Sequence, residues 1–132
     1  MSRDWVRDIF GMHNHYKQHA AFDNMDAEKL KKFLEFRINF LQEELDEMKN
    51  AKNADDVVDA LIDLCVVAIG TLDAFNVDAY KAWNEVLDAN MKKEVGIKEG
   101  RPNPLGLPDL MKPAGWTAPS HIGNEGKLKE IF

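Results

Sequence analysis

The sequence predicts an all-α protein of four helices followed by an extended Pro/Gly-rich C-terminal segment. Apolar residues recur at helical spacing over four long stretches. β-branched runs with period-two alternation are absent, so strands are not expected. Beyond Gly100, glycines and prolines arrive at a density that no helix tolerates.

The first helix is expected from about Asp4 to His19, with Trp5, Val6, Ile9 and Phe10 as its apolar residues and His13, His15 and His19 on a polar face. The second is expected from Asp26, a plausible N-cap, to about Asn50. The third is expected from about Asp55 to Phe75, and the fourth from Asp78, another N-cap candidate, to a stop before Gly96. Next, Gly100, Pro102, Pro104, Gly106, Pro108, Pro113, Gly115 and Pro119 break any helix. Leu105, Leu107, Leu110, Met111 and Trp116 stand among them, more large apolar groups than a disordered tail carries. Residues 100–132 therefore read as a strap packed on a helical domain of residues 1–99, whose last residues, from His121, are either mobile or a short terminal turn.

A chain of 132 residues fits one compact domain that would gain from oligomerising. The net charge of −6 argues against nucleic-acid binding, which needs a basic face to displace counterions. It does not argue against a phosphate substrate, because a bound cation can supply the charge. The single cysteine, Cys65, lies in an apolar run, where it reads as core. It forms no disulfide framework and suits a reducing, cytoplasmic setting. The start, Met1 to Trp5, lacks a signal peptide's apolar core. The longest apolar run, Ala60 to Leu72, is interrupted by Asp63 and too short to span a bilayer, so no membrane is expected as a partner.

The informative residues are carboxylates where a core should be. On a helical wheel of the second helix, Leu30, Phe33, Leu34, Ile38, Phe40, Leu41, Leu45 and Met48 form a wide apolar arc. Glu44 falls inside it between Leu41 and Phe33, and Glu47 between Phe40 and Phe36. Glu43 sits at its edge, Asp46 points away, and Arg37 lies in the arc two turns before Glu44. The third helix is apolar almost all round, yet it carries Asp59 and Asp63 four residues apart on one face, with Asp56 a turn earlier. Unpaired buried carboxylates are costly and repel one another, and a bound cation is the usual resolution. An all-oxygen donor set favours Mg²⁺, Mn²⁺ or Ca²⁺ over Zn²⁺. On the fourth helix, Asn90 ends an apolar stripe and Lys92 and Lys93 follow. An amide and lysines beside a metal cluster suit a phosphate chain.

These residues resemble the all-α nucleoside triphosphate pyrophosphohydrolases of the MazG type. Glu43-Glu44-x-x-Glu47 followed by Asp63 on the next helix is similar to that superfamily's E-E-x-x-E and E-x-x-D pattern. Asp59 to Leu64, Val67 to Thr71 and Asn90 to Lys93 resemble the short, phage-type and phosphoribosyl-ATP-pyrophosphohydrolase-like members, as do Lys112-Pro113 and Gly115-Trp116 with Pro119. The likeness runs from about Asp8 to Pro119. It departs at Ala60, where a strict pattern has glutamate, and makes Asp59 the substitute with Asp56 in reserve.

The resemblance implies a four-helix-type bundle that assembles as a homodimer or homotetramer. It implies Mg²⁺ (or Mn²⁺) held by Glu44, Glu47, Asp59 and Asp63, and Glu43 or the metal activating a water. Asn90, Lys92, Lys93 and Arg37 would then contact phosphate or ribose, and Trp116 the base. The implied reaction converts a (deoxy)nucleoside triphosphate to the monophosphate and pyrophosphate. Phosphoribosyl-ATP hydrolysis is an alternative that uses the same chemistry, and a non-catalytic helical module is another. A ferritin-type di-iron bundle needs Glu-x-x-His, and no glutamate here has a histidine three residues later.

Overall fold

The computed structural model describes residues 3–100 and 105–132. Pro102 and Pro104 of the expected strap lie outside the described residues, as do Met1 and Ser2. Helices run over α1 Trp5–His15, α2 His19–Asp23, α3 Ala27–Lys49, α4 Ala54–Ala74 and α5 Ala79–Met91. The only strands among the described residues are β1 Glu94–Gly96 and β2 Asp109–Met111, so the fold is all-α with a minor sheet. The contacts divide the chain into two units, residues 3–79 with 123–132 and residues 80–122.

The first unit is a helical bundle centred on α3 and α4, with α1 against α4. Its helix starts follow local chemistry. The Asp4 side chain accepts the Arg7 N–H at 3.0 Å, Asp26 accepts that of Lys29 at 2.9 Å, and Asn53 that of Asp56 at 2.8 Å. Asn53 rather than Asp55 opens α4. This places Asp55 and Asp56 in the first turn, where a negative charge complements the helix dipole.

The expected single helix from Asp4 to His19 is instead two. At its end the Lys17 N–H donates to Asn14 O and the Gln18 N–H to His13 O, with Lys17 at φ 56°. This is the left-handed stop that glycine usually supplies, and here a lysine adopts it. Asn76, at φ 59°, ends α4 in the same way.

Leu30 and Phe75 are the largest fully buried side chains. Phe22, Phe33 and Phe75 form an aromatic chain, with ring centres 5.6 and 5.7 Å apart. The C-terminus settles as a 3₁₀ turn, Gly126–Glu130. Its Lys127 N–H donates to Phe75 O at 2.7 Å, and the Lys127 ammonium to Phe22 O at 2.9 Å. The Asn124 side chain exchanges two hydrogen bonds with the Asp78 backbone, each 2.8 Å. Large apolar groups nevertheless remain outside the core. Val58, Leu61 and Ile62 on α4 and Phe36 and Ile38 on α3 are exposed, and Cys65 is only half-buried.

In the second unit, α5 ends at Met91, before Gly96 as expected, and the chain enters β1. β1 pairs antiparallel with β2, Val95 opposite Leu110. Three-residue strands are too short to show the alternation by which strands are recognised, so this hairpin corrects the strand-free expectation. The strap around Trp116 packs on α5, its indole N–H donating to Ala89 O at 2.7 Å.

Candidate metal centre

Glu44 and Glu47 are three residues apart on α3 and so share a face. Asp63 reaches the same place from α4. One carboxylate oxygen from each of Glu44, Glu47 and Asp63 lies within 4.8 Å of the other two. Glu44 is buried at 8% exposure, Asp63 is half-buried and Glu47 is exposed, so the cluster runs from the interior to the surface. Asp59, one turn before Asp63, is exposed, and its charge opposes ionisation of the Asp63 carboxyl. Glu43 and Asp46 are exposed, and so is Asp56 in the first turn of α4.

No lysine, arginine or histidine among the described residues pairs with Glu44, Glu47, Asp59 or Asp63. The electrostatics show the strain. Burial pushes the Glu44 carboxyl above its ordinary range, and Glu47, Asp63 and Asp59 push it further. Burial likewise raises Asp63, with Asp59 and Glu47 adding to it. Glu44 Oε2 is buried without a hydrogen-bond partner. An orphaned carboxylate oxygen among like charges, in an all-oxygen donor set, fits a hard divalent cation.

Arg37 lies on α3 seven residues before Glu44, roughly 10 Å along the axis. Its guanidinium lies 5.4 Å from the Phe33 ring centre and 6.0 Å from that of Phe40. Among the described residues it forms no ion pair, Glu44 included. Its Nε is buried without a partner, and burial lowers its pKa. Gly70 makes room for it, since a Cβ there would stand 2.8 Å from Arg37 Nη2.

Asn90, Lys92, Lys93 and Trp116 belong to the second unit. Asn90 and Lys92 are exposed and Lys93 is half-buried. The Lys93 and Lys112 ammonium groups lie 5.3 and 5.1 Å from the Trp116 ring centre. With its N–H on Ala89 and two cations at its ring, Trp116 is an anchor for the strap. Beside it opens a cavity of about 510 Å³ lined by Glu85, Asp88, Lys92, Trp116, Thr117 and Pro119, among others.

The family model described as phosphoribosyl-ATP pyrophosphohydrolase matches residues 13–90, a span that holds the whole carboxylate cluster. The chain belongs to that family. It thereby belongs to the MazG-like all-α pyrophosphohydrolases, a metal-dependent superfamily. A search of curated proteins returns no match for the chain. The departure at Ala60 has a structural side: Ala60 is 2% exposed, inside the core, and Asp59 beside it supplies a carboxylate whose charge acts on Asp63.

Of the three histidines expected on a polar face, His13 is instead buried. It is 3% exposed, and its Nδ1–H donates to Asp73 Oδ2 at 2.5 Å. His19, half-buried, meets the same oxygen through Nε2 at 2.9 Å, while His15 is exposed as expected. One signal was legible: His13 follows buried Ile9 by four residues, so both face inward. Its partner, sixty residues away, was not legible.

Proposed function

We propose that this family member is a Mg²⁺-dependent nucleotide pyrophosphohydrolase that converts a (deoxy)nucleoside triphosphate to the monophosphate and pyrophosphate. The observation that carries this reading is the unpaired carboxylate cluster with its orphaned Glu44 oxygen. Mg²⁺ held by Glu44, Glu47 and Asp63, with Asp59 at its edge, would neutralise phosphate charge and the charge that develops on departing pyrophosphate.

The chain's own residues do the rest. Glu43, exposed on the same turn as Glu44, accepts a proton from the attacking water. Water adds to phosphorus, the bridging P–O bond breaks, and pyrophosphate leaves with the bond's electron pair. Arg37, a half-buried cation that forms no ion pair among the described residues, meets an anionic group of the substrate. The phosphate and ribose roles of Asn90, Lys92 and Lys93, and the base role of Trp116, are proposals that rest on the sequence resemblance. A single half-buried thiol is compatible with a cytoplasmic setting.

A second reading, phosphoribosyl-ATP as substrate, is supported by the family match itself. The test is a panel of ribo- and deoxyribonucleoside triphosphates with phosphoribosyl-ATP, run in Mg²⁺ and in Mn²⁺ with product identification. Pyrophosphate and a monophosphate are expected. Orthophosphate with a diphosphate product overturns the reaction, and turnover of phosphoribosyl-ATP alone selects the second reading. A non-catalytic module would turn over nothing, bind no Mg²⁺ and tolerate Asp63→Asn.

A further inference from the structure

His13, His19 and Asp73 form a second group of metal-ligating side chains, chemically unlike the first. They come from α1, α2 and α4, and one donor atom of each lies within 4.8 Å of the other two. Asp73 lies ten residues beyond Asp63 on α4, roughly 15 Å along the axis, so the two groups are separate. Both imidazoles aim at one oxygen, Asp73 Oδ2, and their rings stand edge-on at 84°. Among the described residues no lysine or arginine pairs with Asp73. Phe22 packs edge-on against both histidines and Phe10 lies 4.4 Å from the His19 ring, so the group sits in an apolar wall.

From this geometry we propose that His13, His19 and Asp73 bind a borderline transition-metal cation, Zn²⁺ or Co²⁺, at a site distinct from the carboxylate cluster. Two imidazole nitrogens and one carboxylate oxygen are a donor set for such ions and a poor one for Mg²⁺. Zn–N and Zn–O distances of about 2.0–2.2 Å put tetrahedral ligands roughly 3.3 Å apart. The two histidine-to-aspartate distances, 2.5 and 2.9 Å, need to open by less than about 1 Å. Binding replaces the shared N–H···O contacts: the ligating tautomers carry their N–H on Nε2 of His13 and Nδ1 of His19, leaving a lone pair on each inward nitrogen. The ion would tie the α1–α2 turn, held at a left-handed lysine, to the end of α4. This proposal does not depend on the nucleotide reading.

The test uses the full chain in excess Mg²⁺, which occupies the carboxylate cluster, titrated with Co²⁺ and then competed with Zn²⁺. One equivalent of Co²⁺ per chain is expected, with the intense visible bands of tetrahedral coordination, displaced by Zn²⁺. Asp73→Asn and His19→Gln are each expected to weaken binding at least tenfold. Glutamine keeps a hydrogen-bond donor for Asp73 and is a poor ligand, so His19→Gln preserves the fold if the cluster is merely a hydrogen-bonded anchor. Absence of Co²⁺ binding in excess Mg²⁺ overturns the proposal. So does binding that both substitutions leave unchanged.

Discussion

Replacing Glu44 with glutamine keeps the side chain's size and removes its charge. Glu44 is 8% exposed, its Oε2 lacks a partner, and Glu47, Asp63 and Asp59 all oppose its ionisation. A buried acceptor left unsatisfied costs about 1–3 kcal/mol. A glutamine amide can donate to Glu47 or Asp63 and recover it. In a chain of this length each kcal/mol moves Tm by about 3–4 °C. Thermal melts in EDTA are therefore expected to show Glu44→Gln roughly 3–12 °C more stable than the wild type.

Adding Mg²⁺ offsets most or all of that difference by stabilising the wild type. At a hundred times Kd, a ligand of the folded state alone adds about 2.7 kcal/mol, and the variant loses most of that gain. Turnover is expected to fall on the order of 100-fold or more, as when one charge-stabilising group is lost from an active site. A variant that melts below the wild type in EDTA, or that keeps the full Mg²⁺-dependent gain, would refute the reasoning and make Glu44 a structural residue.

Three further outcomes are expected. Glu44 and Asp63 have raised carboxyl pKa values, so the folded chain holds their protons more tightly than the unfolded chain does. In EDTA their contribution is most favourable below the unfolded carboxylate range near about 4, and it is lost as pH rises through the raised folded values. Melts against pH should show that fall, and the Glu44→Gln/Asp63→Asn double variant should flatten it. The exposed Val58, Leu61 and Ile62 on α4 with Phe36 and Ile38 on α3 predict a homodimer or homotetramer, and light scattering that finds a stable monomer at micromolar concentration would count against it. Gly126→Ala should cost more than about 2 kcal/mol in chemical denaturation, because φ is +55° and a Cβ would collide with the Phe75 carbonyl. A loss under about 0.5 kcal/mol would mean the terminal turn is not docked as described.

What the sequence made legible was local chemistry on long elements. Asp26 and the apolar arc gave α3 almost to the residue, and the wheel put Glu44 inside and Asp46 outside. Periodicity was less accurate for Glu47, which it placed among phenylalanines and which is exposed, because Phe36 on that side is itself exposed. The break after α1 was illegible because its left-handed residue is Lys17, and nothing in a lysine announces that conformation. The hairpin was illegible because β1 and β2 are three residues each. α5 stops before Gly96 as expected, and Gly96 itself pairs within the hairpin opposite Asp109.

His13 shows how the same reasoning extends beyond carboxylates. A polar residue on a buried helix face must find a partner, whether it is Glu44 on α3 or His13 on α1. For Glu44 the neighbours Glu47, Asp63 and Asp59 are all of its own sign, so protein alone cannot satisfy it and an ion is implied. For His13 the neighbour is Asp73, of complementary character, and that pair is satisfied before any metal arrives. The two clusters therefore differ in kind. The first is unfavourable without its cation and should be stabilised strongly by Mg²⁺. The second is stable empty and must give up two hydrogen bonds to bind an ion, so its affinity is the net of metal–ligand bonds over those contacts. It follows that chelation should lower the melting temperature mainly through the carboxylates, while Co²⁺ colour should report the histidines. That division separates the two sites in one preparation of the full chain.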